Sequence, residues 1–350
     1  GTATDAWGGR SRIGNKVQNN KLTLTGGSAT LVARGGLVSN TELDAYGNPK
    51  TTGDAEKNSL ILNTGANTLN AYGAEVRTKS GSATENTATL NSGTVNGSLY
   101  GASLSAAGAT GSATKNKVEL QGGSVTGSVY GSHIADGAAT GSATASTVTV
   151  TGGTVSGDIY GGFTNGSGAT TGNTVDLGDG TNIGAISVAG TIHGGNKADA
   201  SGNTLNVKTN AQAGNIKNFE SVKLTLKSSA FNPVNALLRL TGGAQTTELD
   251  WSKLEVDTTA LVATPKSYEA YRVKLMENAN GISFMRGATN TYASHGAKER
   301  TQGELEYVID TDNHTANAAN SIDLEAYQFQ NKQNASFTAA DGTKAEAWGG

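Results

Sequence analysis

Side chains suited to acid–base or metal chemistry are sparse in this 350-residue chain, which holds four histidines, 29 acidic residues and no cysteine. A zinc site gathers several nitrogen, thiolate or carboxylate ligands at short spacing. His133, His193, His295 and His314 are too scattered to form one. The densest polar run, Asp310-Thr311-Asp312-Asn313-His314, lacks the Asp–Gly spacing of a helix–loop–helix calcium site and reads as turn chemistry. Asp176 and Asp179, in a DLGDG run, read the same way. No repeated calcium nonapeptide, GxSxG elbow or Walker loop occurs. A polysaccharide-cleaving enzyme needs two acids at a suitable separation. Glu299 and Arg300, with Glu304 and Glu306, are the nearest approach to such a group, and a solvated strand edge is the simpler reading. No catalytic residue, metal site or cofactor is expected, and the chain is read as non-enzymatic.

The elements that would position any site follow from composition and repetition. Glycine is abundant at 49 residues, proline nearly absent at 3, and apolar residues reach only 35 %. That balance argues for many short, turn-rich elements around a thin core rather than one thick core. The 26 basic and 29 acidic residues leave a net charge of −3, which offers no basic field for nucleic acid. No apolar run approaches the ~18 residues of a membrane helix, so no direct membrane insertion is expected. The chain opens Gly1-Thr2-Ala3, without a signal peptide, and reads as a processed or excised piece.

Internal repetition is explicit. Residues 81–110, 111–140 and 141–170 are three copies of a 30-residue unit without insertion, each opening GSAT. Further copies start at TGNTVDL (171) and SGNTLNV (201), and looser ones lie at NKLTLTGG (20–27) and NSLILNTG (58–65). Aligned, these segments share a column of Asn20, Asn58, Asn86, Asn116, Ser146, Asn173 and Asn203. Two and four positions later come apolar pairs such as Leu60/Leu62, Val118/Leu120 and Val148/Val150. Their alternation with polar residues is the pattern of a strand with one buried face. After a Gly turn a second short strand is expected at Val95 to Leu99, Val125 to Val129, Val155 to Ile159 and Val188 to Ile192. An aromatic or long side chain before glycine then closes each unit: Tyr72, Tyr100, Tyr130, Tyr160 and His193, with Trp7 and Arg34 upstream.

One such unit cannot bury its few Val and Leu side chains, whereas stacked copies can. The expected fold is all-β: a right-handed parallel β-helix (β-solenoid), with coils ~4.8 Å apart. Regular coils should fill 1–210, with an irregular β continuation or small β extension over 211–350. The asparagine column (Asn20, Asn58, Asn86, Asn116, Asn173 and Asn203) is expected as an internal ladder of stacked amides. The column Tyr72, Tyr100, Tyr130, Tyr160 and His193 is read first as a structural ladder, and alternatively as a ligand-contact stripe. Glycines are expected at positive-φ corners. Ice binding would need a flat Thr-x-Thr grid, yet Thr87/Thr89 and Thr147/Thr149 are the only outward Thr/Thr pairs of these strands.

Beyond residue 208 the period decays, with strand-like stretches at 216–227, 236–241, 248–256, 271–276, 303–310 and 322–329, and loops around 285–302 and 311–320. The two ends nevertheless match, GTATDAWGG at 1–9 and GTKAEAWGG at 342–350. Such ends suggest one period of an array, whose last coil would offer an edge to the next unit's first coil.

The coils TVTVTGGTVSGDIYGG and GNTVDL resemble the Gly-rich coils of autotransporter passenger domains of Gram-negative bacteria. So do GNIKNFESVKLTLKSSAFNPVNALLRLT (214–241), YRVKLMENANGI (271–282) and the YVID strand at 307–310. The resemblance implies an extracellular, cell-surface β-helical stalk, often adhesive. Its expected partners are host or bacterial surface ligands, or other copies of itself stacked end to end or laterally as a filament.

Overall fold

The computed structural model describes residues 2–12, 15–26, 28–39, 52–179, 185–199, 201–227, 235–243, 249–250, 253–260, 271–285, 298–302, 305–311, 318–328, 335–338 and 344–347. The chain is all-β, with parallel stacked coils forming a β-solenoid of about 7 turns over residues 5–257.

The coil at 111–140 shows how the repeat folds. A short strand, Ala113–Thr114, leads to a corner at Lys115 and Asn116; Lys117–Leu120 follows. The corner needs a left-handed backbone, and Lys115 supplies it at φ 55°, as Asn19, Lys57, Glu85 and Ala145 do in other coils. Gly172 and Gly202 fill the same position at φ 67° and 69°, where an absent Cβ makes that conformation easy. A second corner turns at Gly123, φ 82°. Ser124–Val125 and Val129–Ile134 complete the coil.

The stretch from Val125 to Val129 was expected as one strand. It is instead two strands separated by a bend at 126–128. The bend repeats at Gly97, Gly127 and Gly157, where coils pass so closely that a Cβ on Gly127 would stand 2.6 Å from the Gly97 carbonyl oxygen. The aromatic residue therefore lies inside the last strand of the coil, not after it. The glycine after it serves close approach, not positive φ: a Cβ on Gly101 would lie 2.4 Å from the Gly131 oxygen. The short Ala-Thr strands were not anticipated. Ala55–Glu56, Ala83–Thr84, Ala113–Thr114 and Ala143–Thr144 form their own parallel sheet. Its signal was the recurring GSAT, whose alanines are fully buried.

Equivalent residues stack in register from coil to coil. Lys117, Val118, Glu119 and Leu120 pair with Thr147, Val148, Thr149 and Val150, and so on up that sheet. Val118, Leu120, Val125 and Val129 are essentially inaccessible and belong to one continuous apolar core. A second, smaller core holds Ala102, Leu104, Ala109, Ala113 and Ile134. Each fully buried Val or Leu contributes about 1.5–3 kcal/mol. A lone coil would leave these side chains half covered, so the stack is the folding unit.

The asparagine column runs through the interior. Asn58 N and Nδ2 both donate to Asn86 Oδ1, at 2.9 and 3.0 Å. Asn86 makes the same pair of bonds to Asn116 Oδ1, at 2.9 and 3.0 Å. Asn20 reaches Asn58 and Asn173 reaches Asn203 in like manner. Asn58, Asn86, Asn116, Asn173 and Asn203 are at most 1 % exposed, so every amide must find partners inside. Where the column holds Ser146, the shorter side chain cannot span the gap. Ser132 fills it: Asn116 Nδ2 donates to Ser132 Oγ at 2.9 Å, and Ser132 lies 2.6 Å from Ser146 Oγ.

Above the regular coils, Leu238–Leu240 and Leu249–Asp250 still pair in parallel with Tyr271–Met285. Tyr271–Met285 pairs antiparallel with Ala318–Gln328, and Leu305–Thr311 joins that strand and Lys298–Gln302 in the same antiparallel sense. Leu275, Met276, Ile282 and Ile322 bury themselves in the main core. The two similar termini are not paired alike. Thr2–Ser11 runs parallel to Ser28–Val38, whereas Lys344–Ala347 pairs antiparallel with Ala335–Thr338. Trp348 lies outside the described residues.

Candidate functional site: the outer stripe and its cationic foot

In-register stacking turns each repeated position into a row, and outward positions into rows up the outside of the molecule. The first row, from register, is Trp7, Arg34, Tyr72, Tyr100, Tyr130, Tyr160, His193 and Lys217. The five rings expected in one column are thus brought together. Centroids of successive rings from Tyr72 to His193 are 4.5, 5.0, 5.2 and 4.5 Å apart, with planes within 11° of parallel. Stacking of this closeness has a functional consequence. The faces between successive rings are covered, so those rings present edges and hydroxyls outward. Three of the hydroxyls are engaged locally. Tyr160 donates to Asp158 at 3.0 Å, and Ser98 and Ser128 hydrogen-bond Tyr100 and Tyr130. Burial raises the pKa of all four tyrosines, most at Tyr72 and Tyr160.

A second row, three residues further along each strand, escaped sequence reasoning. It contains Arg10, Leu37, Glu75, Ser103, His133 and Phe163. Its chemistry changes at every coil, so no single residue type marked the column. His133 and Phe163 stack at 5.3 Å, and His133 packs 4.8 Å from Tyr130. Phe163 sets its edge on Tyr160 at 5.0 Å. Burial pushes the His133 pKa down to about 4, and burial with the nearby Lys217 charge takes His193 to about 4 against the pull of Asp158. Both imidazoles are therefore neutral near pH 7. His133 Nδ1 is 3.0 Å from Ser103 Oγ.

Below Tyr72 the stripe changes from aromatic to charged. Arg34 is only 3 % exposed and lies over the Tyr72 ring, its guanidinium carbon 5.7 Å from the centroid. Its Nε donates to Glu75 Oε2 at 2.5 Å, and its Nη1 is 3.5 Å from Asp5 Oδ2. Arg77 holds the same Glu75 carboxylate through two bonds, of 2.9 and 3.0 Å. Burial opposes ionisation of Glu75, yet the Arg77 hydrogen bonds and the Arg34 charge hold its carboxyl below the usual range. Arg10 covers the Trp7 ring at 4.9 Å, and Trp7 is 40 % exposed. Burial, then the charges of Arg12, Arg77 and Arg34, press the Arg10 pKa down.

Elsewhere, Arg239, Thr241, Lys274, Glu277, Asn280 and Ser321 line a cleft of about 380 Å³. Both its cations are directed at one carboxylate, Arg239 Nε at 3.3 Å and Lys274 Nζ at 2.8 Å from Glu277. Among the described residues no group of three or more His, Asp or Glu side chains could hold a metal ion. Glu299, Arg300 and Glu306 lie on the antiparallel pair Lys298–Gln302 and Leu305–Thr311. Glu304, His295 and His314 fall outside the described residues. No protein-family model, curated protein or solved structure matches the chain.

Proposed function

We propose that this chain is a non-enzymatic, extracellular segment of an autotransporter-type surface protein, acting as a stiff adhesive stalk. The observation that carries this reading is the coil-upon-coil vertical order of the molecule. Three parallel sheets, an internal amide column and an external ring column all run coil to coil in register. Such an assembly resists bending at every level and spends its repeats on rigidity. The test compares bacteria displaying the whole protein with bacteria lacking this segment, in binding to host cells, other bacteria and matrix. Equal binding would end the adhesive reading.

A second reading, association of copies, has support at the lower edge. Leu22 and Leu24 are only partly buried, whereas their stacking partners Leu60 and Leu62 are fully buried. Thr2–Ser11 and Lys21–Leu24 each have a described strand neighbour on one side alone. A parallel strand with half-covered leucines and one described neighbour is a template for a further coil. Electron microscopy of concentrated purified protein should show end-to-end particles or fibres. Monodisperse single particles would exclude this.

A further inference from the structure

We infer that the arginine cluster on the first three coils, Arg10, Arg34 and Arg77, is a binding site for the acid groups of an anionic polysaccharide. Three guanidinium groups gather there, Arg10 and Arg34 on the paired strands Thr2–Ser11 and Ser28–Val38 and Arg77 just past the end of Asn67–Val76, facing only two described carboxylates, Asp5 and Glu75. Glu75 is saturated by Arg34, Arg77 and Ser105, so the cluster keeps a positive excess.

The decisive feature is unspent donor capacity. Arg10 Nε and Arg34 Nη1 are both buried, and neither has a hydrogen-bond acceptor. Arg34 Nη1 is too far from Asp5, at 3.5 Å, for a good bond. A buried charged donor without an acceptor is costly, and native structures rarely tolerate two in one place. Those two atoms are closed to solvent, so an acid group arriving from outside meets first the guanidinium edges of exposed Arg77 and half-buried Arg10, and arginine's planar fork suits carboxylate and sulfate alike.

The rest of the stripe selects the class of molecule that carries the acid. Nucleic acid would use exposed aromatic faces for base stacking. Here those faces are closed by their neighbours. What continues upward from the cluster is a ridge of tyrosine edges flanked by Ser98, Ser128 and Asp158, groups that exchange hydrogen bonds with hydroxyls. Acid groups at the foot and hydroxyls along the ridge describe an acidic glycan. The shared chemistry is a carboxylate or sulfate ester on a polyhydroxylated chain, and this ligand class rests on the adhesive reading above for its biological setting.

The test uses the full chain and measures affinity for heparin (sulfate-rich), polygalacturonate (carboxylate alone) and neutral dextran. Binding to one or both acidic polymers is expected, weakening as salt rises, with no binding to dextran. Which acidic polymer binds tells sulfate from carboxylate. Arg10→Gln and Arg77→Gln should each weaken binding about tenfold or more. Arg34→Gln should weaken it at least as much, and because Arg34 is buried its circular dichroism must match the parent. Arg239→Gln, in the distant cleft, should leave binding unchanged. Equal affinity for dextran, no binding to either acidic polymer, or full binding by Arg10→Gln and Arg77→Gln would overturn the proposal. The two readings separate cleanly. Undiminished cell adhesion by Arg10→Gln and Arg77→Gln overturns the ligand class and leaves adhesion standing. Binding of heparin or polygalacturonate without cell adhesion does the reverse.

Discussion

Two columns run the height of the same coils and differ in almost every other respect. The asparagine column is sealed inside from Asn58 to Asn203, its amides bonded coil to coil with Ser132 bridging at Ser146. The tyrosine column stands on the outside, half-covered, with its rings held by stacking. Both arise because a single repeated position becomes a line when coils stack in register. Their burden is unequal. An interior amide that loses its partner has no water to turn to, whereas an outer ring that is removed leaves a gap that solvent fills. The inner column should therefore be intolerant of change and the outer one permissive, which leaves the outer surface free to acquire ligands.

The comparison can be broken most directly at Asn86. Asn86→Leu keeps the approximate volume but removes the shared acceptor of Asn58 N and Nδ2 and the amide donor to the Ala55 carbonyl and Asn116 Oδ1, leaving Asn116 Oδ1 the Asn86 backbone N–H and Asn58 Nδ2 the Val17 carbonyl. Stranding several buried polar groups should cost about 3–4 kcal/mol, at 1–3 kcal/mol for each group that finds no substitute. Chemical denaturation of the purified chain would measure it. A loss as small as that of an outer-ring deletion would put the two columns on an equal footing.

Acid should act on the outer face. The folded pKa values of His133 and His193 are depressed to about 4. The unfolded chain then takes up protons first as pH falls, so stability is full above about pH 6.5 and declines as the pH drops through about 4. The decline should reach about 2 kcal/mol or more, and His133→Phe, which extends the contact with Phe163, should remove part of it. Unfolding midpoints that stay flat from neutral to mildly acidic pH would show that the imidazoles are already solvated.

Tyr130→Ala deletes one ring between Tyr100 and Tyr160. Loss of partly buried apolar area and two stacking contacts should cost about 1–2 kcal/mol, well below the Asn86 change. A thermal melt would settle whether the outer column matters as much as the inner. The smallest effect is opposite in sign. Lys115 occupies the left-handed corner at φ 55° that Gly172 and Gly202 fill in other coils. Lys115→Gly relieves a backbone cost of about 1 kcal/mol or more, partly offset by glycine's extra freedom when unfolded, so a net gain of about 0.5 kcal/mol is expected. A destabilised variant would show that the corner depends on the lysine side chain.

Much of this molecule was legible beforehand because the repeat is explicit. Alternation at Val118, Glu119 and Leu120 gives a half-buried strand by itself, and recurrence every 30 residues makes stacking the only way to cover its apolar face. The inner column could be read from Asn58, Asn86 and Asn116 alone, since a polar side chain recurring beside a buried strand must bond to its own copies. Other features were not legible. Ala113–Thr114 is too short and too small-sided to announce a strand. The bend at Gly127 looked like a continuous strand because Val125 and Val129 are both apolar.

By itself the sequence determined the architecture: a one-dimensional pattern of apolar pairs, amides and glycines, repeated at fixed spacing, leaves little choice but parallel coils. Tertiary structure alone decided what reaches the surface and in what company. Arg10 and Arg77 belong to no repeated motif and Arg34 stands where later coils carry tyrosine, yet neighbouring coils bring the three together. His133 joined the aromatic wall for the same reason. Spacing fixes which residues stack, because each coil must match the backbone hydrogen bonds of the one below. Which side chains then lose water, and which donors are left without acceptors, depends on neighbours drawn from different coils.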